Sequence, residues 1–206
     1  PDLMTLSSTM TPRLVTQTFD PTGCDVVEGM VQPGTRKLVR FTFTTPNRGQ
    51  ADLIVGPPSL RPDLFEYSEC HAHYHFREYA DYRLWTPAQF EAWSALRDEF
   101  PELTPAAVLQ AHPELSPVRG AKRGFCVIDL RRVSYTLLAF SKYNSCDFQG
   151  ISVGWADEYH YSLAGQYLDV TGLPQGDYVL EAEVNAERLF GESNYANNRG
   201  WLSIAI

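Results

Sequence analysis

Residues 37–44 set the terms for the chain. Leu38, Arg40, Thr42 and Thr44 alternate with Val39, Phe41 and Phe43, a period of two built from β-branched and aromatic side chains. A segment of that pattern buries one face and wets the other only as a strand. The same texture returns at 52–55, 74–85, 125–130, 133–140, 166–170, 178–184 and 201–206. Turn chemistry punctuates it, with Asn47-Arg48-Gly49 and Leu173-Pro174-Gln175-Gly176-Asp177 placed to reverse the chain. One stretch departs. Thr86 is an N-cap followed by Pro87 at the first helical position, and Phe90, Trp93, Ala95 and Leu96 recur at helical spacing. Thr104-Pro105 starts a second short helix. The expectation is one all-β, β-sandwich-like, loop-rich domain over 1–206, with a helical insertion at about 86–115.

Charge narrows the partners. With 25 acidic and 17 basic residues the formal charge is −8. That argues against a nucleic-acid backbone as partner and suits cationic substrates. No run reaches the roughly 18 apolar residues of a membrane span. Lysine is scarce: Lys37, Lys122 and Lys142 stand against fourteen arginines. Four widely spaced cysteines (Cys24, Cys70, Cys126, Cys146) without a C-x-x-C read as two disulfides rather than a zinc cluster. Disulfides imply an exported protein, and the lack of a signal peptide at Pro1-Asp2-Leu3 is expected from either a removed leader or a trimmed chain.

Cys70-His71-Ala72-His73-Tyr74-His75 carries the chemistry. On a strand the three imidazoles project from one face, with Ala72 and Tyr74 on the other. Three neutral imidazoles occupy one side of a metal and leave positions open. Imidazole suits copper, zinc, iron and nickel alike, so spacing leaves the metal undecided. His112 and His160 have no assigned role.

The same segment resembles the copper-binding C-H-x-H-Y-H stretch of the lysyl oxidases. Pro1-Asp2-Leu3, Ala121-Lys122-Arg123-Gly124-Phe125-Cys126, residues 149–159 with 166–171, and Glu192-Ser193-Asn194-Tyr195-Ala196-Asn197-Asn198 resemble further family segments in the same order. The resemblance covers nearly the whole chain, with Thr86 to Val118 inserted relative to animal members. It implies copper on His71, His73 and His75, and a lysyl tyrosylquinone cofactor made from Lys122 and Tyr159. The implied reaction turns a primary amine, with peptidyl lysine foremost, into an aldehyde. Dioxygen is consumed, and hydrogen peroxide and ammonia are released. Asp81 falls near a histidine of animal members and is the expected general base. Asp2, the Leu3 carbonyl, Glu192, Asn197 and Asn198 are similar to a calcium site, and oxygen-only donors suit that ion. The implied disulfides are Cys70–Cys146 and Cys24–Cys126. Departures occur at residues 65–69, at Trp155 and at His160-Tyr161, and these touch substrate preference. The competing expectation is a secreted metal-binding adhesion or matrix module that makes no cofactor.

Overall fold

In the computed structural model, residues 1–121, 124–134 and 140–206 are described. The largest sheet has four antiparallel strands in the order Arg199–Ala205, Asp177–Val184, Ala80–Trp85, Val118–Arg119. A second runs Arg13–Phe19, Gly34–Arg40, Tyr167–Asp169, and a third Phe43–Pro46, Trp155–Tyr159, Arg131–Arg132. Two antiparallel pairs complete it: Phe65–Ser68 with His73–Phe76, joined by a short turn, and Leu53–Gly56 with Gln149–Ile151, distant in sequence. Val39, Phe41, Phe43, Tyr82, Leu168 and Leu180 belong to one core, where Tyr82 meets the edges of Phe41 and Phe43. The all-β, loop-rich expectation holds.

The expected small helical part forms, as Pro87–Glu99 and Pro105–Ala111. Thr86 closes a capping box with Gln89, and Thr104 caps the second helix. Trp93 stacks on Trp85 of the large sheet, ring centroids 5.0 Å apart. Beneath the helix lies a buried ionic cluster. Arg83 is fully buried and pairs with Asp81, Glu181 and Glu183, while Arg97 pairs with Glu183 and Arg199 with Glu181. Glu181 also accepts both indole N–H groups, from Trp85 at 2.9 Å and Trp93 at 3.0 Å. Buried charges persist only when paired and bonded this fully.

Several local expectations change. The run 37–44 is two strands in two sheets, divided after Arg40. Both faces of the run are covered, Leu38 and Thr44 being buried as well as Val39, Phe41 and Phe43. The run 74–85 breaks at residues 77–79, where Glu78 takes a positive φ of 51°. Residues 125–130 pair with no regular ladder. Their backbone is satisfied piecemeal, Phe76 N–H donating to Phe125 and Leu130 N–H to Ala156. Of 133–140, residues 135–139 lie outside the described residues; Val133 and Ser134 both donate to the Gly154 carbonyl.

The disulfides are Cys24–Cys70 and Cys126–Cys146, not the implied Cys70–Cys146 and Cys24–Cys126. The fold decides this. The turn carrying Cys70 abuts the short helix Cys24–Val27, leaving Cα atoms 5.8 Å apart, and Ser68 donates to Glu28 beside it at 2.5 Å. The Gly150 N–H donates to Val127, drawing the segments of Cys126 and Cys146 to a Cα separation of 5.3 Å. Both spacings lie in the range a disulfide spans.

Candidate active site

Only His73 and His75 sit on a strand, His73–Phe76. His71 lies in the preceding turn, where Ala72 takes a φ of +56°. The turn is tied by Ala72 N–H to the Ser68 carbonyl and by His71 N–H to Ser68 Oγ. The expected one-strand geometry therefore fails, yet its consequence survives. His71, His73 and His75 are buried or half-buried while Ala72 and Tyr74 face water. The rings gather with centroids 4.8–5.8 Å apart, and His73 Nε2 lies 3.1 Å from His75 Nε2. Three imidazoles without a carboxylate fit copper or zinc and not a hard cation. Cys126 and Cys146 lie close to His73, but their sulfurs are bonded to each other and offer no thiolate.

Tyr159 ends the Trp155–Tyr159 strand, opposite Phe43, and is 2% exposed. It is not in ring contact with a histidine. Phe125 stands between them, 4.2 Å from the Tyr159 ring and 6.3 Å from that of His75. Lys122 lies outside the described residues. Two positions later, Gly124 passes so close to the histidine strand that a Cβ would overlap the Phe76 carbonyl oxygen. Glycine is required there to hold the 124–125 backbone against Phe76.

A cleft of about 580 Å³ opens at this place, lined by Glu28, Glu66, His75, Glu78, Ala121 and Gly124. Three carboxylates make its wall favourable to a cationic amine. The sequence pattern offers no signal for this convergence, because Glu28, Glu66 and Glu78 come from separate segments.

Asp81 does not join the group. Its Oδ2 accepts from Arg83 at 2.7 Å and Arg119 at 2.6 Å. The structure therefore gives it a place in the ion-pair cluster. Sequence reasoning passed over a different carboxylate, Asp157, two residues before Tyr159. It is 1% exposed, and neither oxygen has a hydrogen-bond partner. Burial pushes its carboxyl well above the usual range. Burial likewise raises the Tyr159 phenol, and the Asp157 charge adds to it.

The residues named for a calcium site are hydrogen-bonded to one another. Asn197 Nδ2 donates to Asp2 at 2.9 Å, while Leu3 N–H and Asn198 Nδ2 donate to Glu192. Leu3 thus contributes its N–H. Burial raises the Glu192 carboxyl, against the donors that lower it. The Oδ1 atoms of Asn197 and Asn198 are buried without partners. His112 and His160 make local contacts to Glu114 and Ser162.

Fold and site together define a class: a disulfide-tied all-β domain whose histidines converge near a buried, ring-packed tyrosine. The chain belongs to the lysyl oxidase family, whose family model, "Lysyl oxidase", matches residues 4–93 and 101–205. The unmatched 94–100 fall in the helical segment. Similar proteins include "Lysyl oxidase homolog 2" of Gallus gallus, 28% identical over 84% of this chain and 19% of its own length. "Protein-lysine 6-oxidase" of Sus scrofa and of Homo sapiens are each 27% identical over 79% of this chain, covering 54% and 32% of theirs. The chain thus spans from about a fifth to about half of these relatives.

Proposed function

We propose that this domain is an exported copper-dependent amine oxidase that builds lysyl tyrosylquinone from Lys122 and Tyr159. The balanced reaction takes a primary amine, water and dioxygen to an aldehyde, ammonia and hydrogen peroxide. Peptidyl lysine is the intended substrate. The observation that carries this reading is the single cleft lined both by His75 and by Ala121 and Gly124, which bracket Lys122-Arg123 in sequence.

His71, His73 and His75 would hold the metal. Bound copper supplies one-electron chemistry with dioxygen, and the quinone supplies the electron sink for the amine. The chain's own residues do the rest. Glu28, Glu66 and Glu78 draw the ammonium to the cleft. Arg77 lines the same cleft and pairs with Glu66 at 3.8 Å, so it offsets part of that charge. Phe125 and Tyr79 pack against the Tyr159 ring and fix its orientation. Asp2, Glu192, Asn197 and Asn198 would hold calcium and tie the N-terminal segment to the C-terminal loop.

The decisive experiment loads metal-free protein with copper in air and weighs the digest. A linked Lys122–Tyr159 peptide, redox-cycling stain, and peroxide release with lysine-rich protein are expected. Copper-loaded protein with neither link nor peroxide overturns the reading. Calcium should raise the Tm of the same protein by a few degrees, corresponding to about 1–3 kcal/mol at saturating ion. No shift at millimolar calcium would dismiss that site.

A further inference from the structure

Among the described residues, Asp157 is the only carboxylate with both oxygens buried and unbonded. Buried polar groups are almost always satisfied, and one left without partners calls for a reason other than stability. Its neighbours sharpen the question. On the strand Trp155–Tyr159, Asp157 and Tyr159 are two residues apart and both point inward. The Tyr159 hydroxyl is also buried and without a partner. Two groups able to exchange a proton are thus enclosed together, and neither is committed elsewhere.

Of the titratable groups around it among the described residues, only the Tyr82 hydroxyl is likewise buried without a partner; Tyr79, Asp129 and Glu158 are engaged. Tyr79 is tied to Thr45 at 2.6 Å, and Tyr82 brings another buried phenol. Asp129 is spent on the backbone N–H groups of Lys142, Tyr143 and Ser152 and on the Ser152 hydroxyl. The Tyr159 hydroxyl first, then the backbone amides of Glu158 and Ile128, lie near enough to favour the Asp157 anion, although none closes a full hydrogen bond to it. Glu158 points the other way, bonded to Thr44 and Arg131.

We propose that Asp157 accepts the phenolic proton of Tyr159 when the cofactor is made. The O–H bond breaks, its electron pair stays on the phenolic oxygen, and the proton forms a new O–H bond on the Asp157 carboxylate. The ring becomes a tyrosinate, far easier to oxidise than the neutral phenol. This rests on the reading of Tyr159 as the cofactor tyrosine and adds a catalytic residue to it. Burial raises both groups: it makes the Asp157 carboxylate the stronger base and the Tyr159 phenol the weaker acid, so the role rests on their shared enclosure and not on either shift.

The test compares parent, Asp157→Asn and Asp157→Glu, each prepared metal-free and loaded with copper in air. Asp157→Asn should bind the same copper and unfold at the same temperature or higher, because an amide is easier to bury than an acid. Its linked 122–159 peptide should accumulate about 100-fold more slowly or worse, with partial recovery in Asp157→Glu. Asp157→Ser, smaller and also neutral, repeats the test should the amide variant fail to fold. Linkage at the parental rate in either neutral variant overturns the proposal. A parent that binds copper but forms no link defeats the cofactor reading itself, and the proposal with it.

Discussion

Tyr159→Phe should give a folded, copper-binding protein with no quinone and no amine oxidation. The substitution deletes one oxygen, and that oxygen makes no hydrogen bond in the fold. The ring contacts to Phe43, Tyr79 and Phe125 are untouched. Stability should therefore stay within about 0.5 kcal/mol of the parent. Activity should fall at least about 10⁴-fold, because the ring that would supply the electron sink lacks the oxygen from which its oxidation starts. Peroxide release and absorbance read the loss, and metal analysis reads the retained copper. Lys122→Arg is the companion variant, since a guanidinium keeps the charge but is never a free amine. Should Tyr159→Phe release peroxide near the parental rate, the cofactor tyrosine lies elsewhere among the eleven tyrosines.

The largest stability effect is expected from Glu181→Ala. Glu181 is fully buried and is the common acceptor for Arg83, Arg199, Trp85 and Trp93. Truncation strands guanidinium and indole donors away from water. Breaking such a buried pair costs about 3–5 kcal/mol, out of a total of about 5–15 kcal/mol for a domain. At about 2–4 °C per kcal/mol for a chain of this size, the Tm should fall by roughly 6–20 °C. Thermal unfolding followed by circular dichroism reads this. A drop smaller than about 1 kcal/mol would mean that the cluster is ornamental. The acid limb has a defined sign. Arg83 and its neighbours, against desolvation, hold the Glu181 carboxyl below its ordinary 4.5. Its contribution is therefore complete above that value and is lost as pH falls through the lower folded one.

The cluster also shows where a linear reading stops. Residues 178–184 are legible as a strand from their alternation, and Thr86-Pro87 is legible as a helix start. That the helix would lie over Glu181 and Glu183 is not, because it depends on contacts some 90 residues apart. Asp81 illustrates the cost. Its position along the chain suggested a base, whereas Arg83 and Arg119 make it a paired anion. Asp157 illustrates the converse: an ordinary aspartate in sequence becomes notable only once its burial and missing partners are seen.

The sequence by itself determined the all-β texture, the two capped helices, the even cysteine count and the three histidines. Each is a relation between residues a few positions apart, where strand period, helix period and cap chemistry operate. Only the tertiary structure decided which cysteines pair, and that His71 reaches the cluster from a turn. It alone placed Glu28, Glu66 and Glu78 around one cleft and left Asp157 unbonded beside Tyr159. Those are relations of burial and distance across the chain, set by which faces the core could close over at once.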